Sequence, residues 1–384
     1  MKNFVSIESL RAYMAWWVVI GHASHLTRAS DFLPQTLVRL IERGDIAVNV
    51  FIIISGFVIT HLIESKRERY APYLVRRFFR IFPVYLFCLI LAIIITYLYQ
   101  AAYFHPWVVG VEMRQARAME ESSRFFTHLG LHLTLLHGVF SDSFLPFSSS
   151  TFLAPAWSLS LEWQFYLIAP ALIFLVSRAG YTMIFTISLL IGFYALAHSQ
   201  MLGYWSYPSF LPLSIHYFLI GILSRQCLGQ LQRNEVRVEA FVAVAALIAI
   251  LSGPVEALVW ITFLSFAMLE IGLMRLEIFG GARIMAFFVL HPTVARIGTW
   301  SYSTYLIHIP VFSVVVGTAT LFLPSVSQEL VVLLVVTSLP IVLLVSWLSF
   351  TFIEKPFNSI GRKLARRLAE GEPQGSSGKH SVLT

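Results

Sequence analysis

The sequence contains few charged residues and almost no cysteine. Asp, Glu, Lys and Arg make up 12% of the 384 residues, and the cysteines are Cys88 and Cys227. Two cysteines supply neither a disulfide framework nor a metal cluster. Because 57% of the residues are hydrophobic, the scarcity of charge excludes a soluble globular protein. The composition therefore predicts a polytopic membrane protein.

Runs of about 20 apolar residues predict ten transmembrane helices in an all-α fold. The predicted spans lie near residues 9–27, 45–64, 81–99, 156–176, 181–198, 209–224, 238–253, 255–273, 302–323 and 328–352. The apolar segment 125–137 carries three histidines and is short for a span. We predict that it is a re-entrant or interfacial part of a long outer loop over residues 100–155.

The formal net charge of +7 does not require a nucleic-acid partner, because basic residues accumulate in the cytoplasmic loops of membrane proteins. Ten spans place 21 of the 27 Lys and Arg residues in the cytoplasm, with both termini on that side. The first apolar segment lacks a small-x-small cleavage site, so we expect it to be retained. We assign residues 1–358 to the membrane domain and residues 359–384 to a cytoplasmic tail, basic and then disordered in composition.

The first predicted helix carries two polar residues that hydrocarbon does not tolerate, Arg11 and His22. Their spacing of eleven places them on one stripe of the helix, roughly 16 Å apart along its axis. This stripe must face protein or water, which suggests one elongated ligand that touches both residues. The alternative is that Arg11 snorkels to the interface and His22 is satisfied by a neighbour.

A second basic feature precedes the third span, where Arg77 and Arg80 lie three residues apart. On a helix these side chains share a face and can clamp a phosphate bidentately. The alternative is that this basic loop only marks the cytoplasmic side. The third span begins directly after these arginines, which favours a position at the same depth, on the cytoplasmic side of the membrane, as Arg11.

Six motifs in this order resemble the acyltransferase-3 family of integral membrane O-acyltransferases, which modify bacterial cell-surface and exported polysaccharides. They are Arg11 with His22, 49–57 (NVFIIISGF), 77–83 (RFFRIFP), 157–167 (WSLSLEWQFYL), 301–308 (SYSTYLIH) and 354–356 (EKP). The resemblance covers about residues 5–358 and is closest to exopolysaccharide-modifying members that consist of the membrane domain alone.

The resemblance implies roles for the residues that stand at the family's positions. Arg11, Arg77 and Arg80 would bind a cytoplasmic acyl-coenzyme A, and His22 would act as the general base on a sugar hydroxyl. Glu162 is the lone acid of its motif, and we expect it to orient His22 or to hold the acceptor hydroxyl. The alternative for Glu162 is a carboxylate favoured by the helix dipole.

Three further residues are expected to support the substrate or the structure: Asn49, Tyr302 and His308. Family members often carry Asp where Asn49 stands, so a role that needs a charge is in doubt there. We expect His308 to pack or hydrogen-bond rather than to act as a second base. Ser55 and Gly56 are expected to allow close helix packing. Without a third ligand, His128 and His132 do not predict a metal site.

The sequence therefore predicts a multi-pass bacterial inner-membrane enzyme that transfers an acyl group, expected to be acetyl, from acyl-CoA to a glycan or lipid-linked oligosaccharide. Acyl-CoA would be a co-substrate, with no tightly bound cofactor. Membrane lipid and polysaccharide-assembly proteins are the other expected partners. One alternative is a transporter or channel for an acyl group or glycan precursor, and another is a non-catalytic subunit of an assembly complex. A transporter would work without coenzyme A, and in a non-catalytic subunit His22 would be replaceable without loss of acyl transfer.

Overall fold

The computed structural model describes residues 4–370 except 67, 179, 234, 236–238 and 274–279. Within these residues the chain is all-helical, as predicted. The α-helices are α1 (Val5–Thr27), α2 (Gln35–Ile41), α3 (Gly44–Lys66), α4 (Tyr70–Ile94), α5 (Thr96–Tyr103), α6 (Val111–Ser123), α7 (Phe125–Leu133), α8 (Trp157–Val176), α9 (Tyr181–His198), α10 (Leu211–Gln232), α11 (Glu239–Leu251), α12 (Pro254–Glu270), α13 (Gly280–Val289), α14 (Pro292–Gly298), α15 (Ser301–Phe322), α16 (Gln328–Ser349) and α17 (Lys355–Glu370). A π-helical turn, Phe350–Glu354, joins the last two.

Seven helical segments of the described chain are long and apolar enough to cross a membrane, and they contain α3, α4, α8, α9, α10, α15 and α16. Each coincides with a predicted span. Of the other three predicted spans, α1 has 23 residues but is less hydrophobic, because Glu8, Arg11 and two histidines interrupt it. Helices α11 and α12 have 13 and 17 residues. The fold is that of a polytopic membrane protein, and the count of ten remains a prediction.

The basic segment before the third span is helical, whereas the sequence analysis treated it as a loop. Helix α4 begins at Tyr70, eleven residues before the predicted span. The hydroxyls of Tyr70 and Tyr73 donate hydrogen bonds to the carbonyls of Leu167 and Tyr166 on α8. These contacts give the first turns of α4 a tertiary partner that sequence periodicity does not reveal.

Helices α6 and α7 lie in the predicted outer loop, and α5 begins in the predicted third span and ends in this loop. Helix α7 has 9 residues, or about 14 Å of helix, which is too short to cross the hydrocarbon core. Its residue His132 is fully buried, and the Tyr85 hydroxyl of α4 lies 3.0 Å from its Nδ1 atom. The loop therefore packs onto the helical bundle, in agreement with an interfacial or re-entrant segment.

Small residues allow several helices to approach closely. A Cβ atom on Gly56 of α3 would lie 2.3 Å from the Phe218 carbonyl oxygen of α10, and one on Gly221 would lie 2.1 Å from that of Ile53. The close packing predicted at Gly56 is thus confirmed. A Cβ atom on Gly298 of α14 would likewise lie 1.8 Å from the Glu8 carbonyl oxygen of α1.

Helix α17 packs along α4 and contains the first part of the predicted tail. A Cβ atom on Gly361 would lie 2.5 Å from the Cβ atom of Phe79, so the two helices touch. Residues 359–370 of the predicted tail are therefore helical. The part expected to be disordered begins after Arg367; its residues 368–370 are helical, and residues 371–384 lie outside the described residues.

Candidate functional site

One cavity is lined by all three arginines predicted to bind the acyl donor. Its volume is about 120 Å³, and α1, α3, α4, α8, α10 and α15 form its walls. Arg11, Arg77 and Arg80 all line it, together with Glu162 and Tyr302. The remaining walls are largely apolar, with Val48, Ile52, Leu159 and Phe218 among them. Three cations from two helices therefore face one space, as their shared level in the sequence suggested.

Arg80 is held by the carboxylate of the 354–356 motif, Glu354. Its guanidinium forms a close ion pair with Glu354, which is almost completely buried. The Ser303 hydroxyl donates a second hydrogen bond to Glu354, at 2.9 Å. Arg80 also lies over the ring of Tyr302, 5.6 Å from its centroid. Glu354 thus fixes Arg80, although 274 residues separate them in the chain.

Arg77 and Arg11 have weaker protein partners than Arg80. Arg77 lies over the Tyr166 ring at 5.6 Å, and its buried Nε atom makes no hydrogen bond to the described residues. Arg11 lies 3.7 Å from the Glu8 carboxylate, one turn earlier on α1. Side-chain exposures of 21% for Arg11 and 24% for Arg80 leave both arginines accessible to an incoming anion.

Glu162 lies in this cavity rather than beside His22. Its carboxylate accepts hydrogen bonds from the Ser55 hydroxyl, at 2.9 Å, and from the Tyr166 hydroxyl. No hydrogen bond between described residues joins Glu162 to His22. The geometry therefore does not support an orienting role for Glu162 at the histidine, and Ser55 contributes a polar contact in addition to its place in the close-packed α3.

His22 lies further along α1 and contacts His308 of α15. Their ring centroids are 5.1 Å apart, and His25 lies 6.3 Å from His22 on the other side. The His308 Nδ1 atom is 3.2 Å from the Thr304 carbonyl oxygen, so this nitrogen must be the donor. Its buried Nε2 atom and the buried Nδ1 atom of His22 make no hydrogen bonds within the described chain. The structure thus brings together two histidines predicted separately.

The cavity and the histidine pair are joined through Tyr305. Tyr305 lines the cavity, and its ring lies 6.4 Å from His308. Because α1 is continuous over Val5–Thr27, it carries Arg11 at the cavity and His22 beyond it. The stripe predicted from the sequence therefore extends from the three arginines to the two histidines.

Asn49 and Tyr302 make contacts between helices. The Asn49 Nδ2 atom donates a hydrogen bond to Glu256 of α12, at 3.0 Å, and Asn49 does not line the cavity. The Tyr302 hydroxyl donates to the Ile81 carbonyl oxygen at 2.6 Å, which ties α15 to α4. Both contacts agree with structural support.

The histidines of the outer loop are occupied by protein contacts. The Nε2 atom of His132 lies 2.9 Å from the Thr151 hydroxyl, and its ring stacks on His137 at 3.9 Å. Nowhere in the described ranges do three or more His, Cys, Asp or Glu residues form a group that could hold a metal ion.

Comparison with known proteins assigns the chain to a family. The profile of the acyltransferase domain that defines the acyltransferase-3 family matches residues 4–351. The chain belongs to the acyltransferase-3 family. It is 23% identical over 388 aligned positions to the peptidoglycan O-acetyltransferase OatA of Listeria monocytogenes, covering 94% of this chain and 56% of the relative. The chain thus spans little more than half the length of that relative. No solved structure gave a significant match.

Family membership fits the motifs from which the resemblance was drawn. The matched region includes α1 with Arg11 and His22, the arginines of α4, the acid of α8 and the His308 region of α15. Glu354 lies just beyond the match, yet its ion pair with Arg80 makes it part of the same site. In the sequence, Glu354 stands next to an apolar span. This position was the signal that its carboxylate is buried and pairs with one of the arginines.

Proposed function

We propose that this chain is a membrane O-acetyltransferase that transfers the acetyl group of acetyl-CoA from the cytoplasm to a hydroxyl of an exported or cell-surface glycan. The family supports an acyl transfer reaction. The name of the Listeria relative supports acetyl as the group and a glycan as the acceptor. The bacterial inner membrane is the location that fits a cytoplasmic donor and an exported acceptor.

The observation that carries the proposal is the convergence of Arg11, Arg77 and Arg80 on one cavity. Coenzyme A carries several phosphate charges at one end and the thioester at the other, connected by a flexible arm. Guanidinium groups bind phosphates through bidentate, charge-assisted hydrogen bonds. We expect the phosphates to contact the arginines while the arm follows α1 past Tyr305 towards His22.

His22 is proposed as the general base because its imidazole lies beyond the cavity on the same stripe of α1 as Arg11. It would take the proton of the sugar hydroxyl while the hydroxyl oxygen attacks the thioester carbonyl. The carbon–sulfur bond then breaks, and the protonated imidazole returns its proton to the departing thiolate. His308 would position His22, since its ring packs against it and its Nδ1 atom is fixed by the Thr304 carbonyl.

Glu162 is proposed as a contact for the acyl donor. Its carboxylate lies in the same cavity as the arginines, and Ser55 and Tyr166 fix its orientation. The arm of coenzyme A contains amide N–H groups, which are donors for a buried carboxylate. Glu162 then positions the donor below the histidines instead of acting on the acceptor.

The test is transfer of radiolabelled acetyl from acetyl-CoA to glycan by membranes that contain matched amounts of each variant. We expect His22→Ala to abolish transfer, and Arg77→Ala to raise the KM for acetyl-CoA at least tenfold. His198→Ala and Arg178→Ala are matched controls, because His198 is exposed and bonds only within its own helix, while Arg178 lies over Phe174 outside the cavity. Both controls should transfer acetyl like the native chain.

Three outcomes would contradict this proposal. Transfer that persists in His22→Ala would remove His22 as the base. Acetylation in intact cells without any use of acetyl-CoA by the membranes would favour a transporter. A native chain that supports glycan assembly with no acetyl transfer at all would favour a non-catalytic subunit.

A further inference from the structure

Two buried arginines of the outer loop have no role in the mechanism above. Arg114 and Arg117 lie on α6, among the six cations predicted to face away from the cytoplasm, and they are only 8% and 5% exposed. Neither forms an ion pair with any carboxylate in the described part of the chain. Burial of a charge without an ionic partner is costly, so two such residues side by side indicate a function.

Two tyrosines of α5 hold these arginines in place. The Tyr99 hydroxyl accepts hydrogen bonds from Arg114, at 3.3 Å, and from Arg117. Tyr99 and Tyr103 stack at 4.7 Å, and Arg114 lies over the Tyr103 ring at 5.1 Å. A phenol and two aromatic faces orient the guanidinium groups. Glu121 attracts Arg117 electrostatically, whereas no described carboxylate pairs with Arg114.

The arginine pair adjoins the histidines of the site. The Val109 amide donates a hydrogen bond to the His25 carbonyl oxygen at 3.0 Å, and the Val109 carbonyl accepts one from Arg114 at 3.4 Å. Both guanidinium groups lie near enough to His22 to interact with it electrostatically. Two hydrogen bonds therefore connect Arg114 to the end of α1 that carries His22 and His25.

A second, small cavity of about 20 Å³ lies between this loop and α15. Arg117 and Tyr99 line it from one side, and Ile309 and Pro310, the two residues after His308, line it from the other. Glu121 also borders it, but its Oε2 atom accepts a hydrogen bond from the Phe152 amide at 2.7 Å. Space of this size holds about one water, so it is a small gap beside Arg117 and not itself the site of a sugar or a whole anionic group.

We propose that Arg114 and Arg117 bind an anionic substituent, a carboxylate or a phosphate, of the acceptor glycan and so present its hydroxyl to His22. This rests on the proposed function. The three arginines of the large cavity, at the opposite end of the stripe, are proposed to bind the acyl donor. Arg114 and Arg117 are therefore left to bind the acceptor. Arginine forks recognise carboxylate and phosphate alike, and a bound anion would give Arg114 the ionic partner that no described carboxylate provides.

The experiment uses cell-surface glycan from the host, stripped of O-acetyl groups by mild alkali and divided into three portions. One is left intact, one has its carboxyls reduced to alcohols, and one is dephosphorylated. Membranes with the native chain should acetylate the intact glycan with a kcat/KM at least about tenfold above that for the portion that has lost the recognised anion. The portion that shows the decrease identifies carboxylate or phosphate as the recognised group.

Variants then test whether the arginine pair is responsible. Arg114→Gln and Arg117→Gln should lower the kcat/KM for the intact glycan to the level of the neutral one, leaving the KM for acetyl-CoA unchanged. Arg124→Gln is the matched control, because Arg124 lies just after α6, is half-exposed and pairs with Glu120 at 3.3 Å. It should behave like the native chain on all three portions.

Equal kinetics of the native chain on all three portions would overturn this inference, whether or not the variants fold. Equal losses on charged and neutral glycan in the arginine variants would also overturn it, because they would reveal a structural role alone. Absence of any acetyl transfer by the native chain would contradict the proposed function itself and is distinguishable from both results.

Discussion

The ion pair between Arg80 and Glu354 provides the sharpest test of the energetics of this site. Glu354 is 1% exposed and accepts hydrogen bonds from both Arg80 and Ser303. The substitution Glu354→Gln keeps the shape of the side chain and removes its charge. Arg80 would then be a largely buried cation without a counter-ion.

The expected loss of stability is about 3 kcal/mol, the lower end of what removal of one partner from a buried pair costs. We take the lower end because Arg80 retains 24% side-chain exposure, which lets water screen its charge. At about 2 °C per kcal/mol for a chain of this size, the unfolding temperature should fall by about 6 °C. Asp45→Asn is the control, since the Arg43–Asp45 pair is more than half exposed and should contribute less than about 1 kcal/mol.

The assay can use the two native cysteines of the chain. Cys88 and Cys227 are both buried, so a thiol-reactive dye should label them only when the detergent-solubilised protein unfolds. Equal shifts for Glu354→Gln and Asp45→Asn would refute the reasoning. In a double-mutant cycle, Arg80→Met should cost less in the Glu354→Leu background than in the native one, because no unpaired charge is left behind.

Three further predictions concern packing, the carboxylate of the cavity and the outer loop. Gly221→Ala should lower the unfolding temperature by several degrees, because its Cβ atom would overlap the Ile53 carbonyl; Gly192→Ala, with open space around it, should not, and equal effects would contradict the close contact. Glu162→Leu should raise the KM for acetyl-CoA at least tenfold in steady-state kinetics, whereas Glu162→Gln, which keeps an acceptor oxygen, should raise it much less. An equal rise in KM for both variants would exclude a hydrogen-bonding role. Burial lowers the pKa of His137 from 6.5 to about 3 in the folded chain. As the pH drops from 6.5 towards 3, the unfolded chain therefore takes up a proton at His137 that the folded chain does not, and the stability should fall. Unfolding temperatures at pH 7.5 and 5 should differ less for His137→Asn than for the native chain, and an unchanged difference would refute the assignment.

The relative placement of the predicted site residues within α1 and within α4 could be predicted from the sequence because it follows from helix periodicity alone. Arg11 and His22 lie on one continuous helix, and Arg77 and Arg80 face the same cavity, as a three-residue spacing requires. Local geometry of this kind depends on the rise and twist of one helix. It does not depend on how the helices pack.

The parts that were missed depend on long-range contacts. The pairing of Arg80 with Glu354 and the approach of His22 to His308 join residues far apart in the chain, and no periodicity encodes them. For the same reason the sequence left open whether Glu162 orients His22, holds the acceptor hydroxyl or serves the helix dipole, whereas in the structure it bonds to Ser55 and lines the cavity of the arginines. The helical start of α4 was missed because its hydrogen bonds are made to α8.

Helix α1 also sets a length. It is anchored near one end, where Gly298 meets the Glu8 backbone, and near the other, where the Val109 amide binds the His25 carbonyl. Between these anchors, the separation of Arg11 and His22 is fixed at about 16 Å by the rise of an unbroken helix. A donor that reaches both residues must therefore match that distance. The spacing of two residues in one helix would thus set the length required of the arm that carries the acyl group.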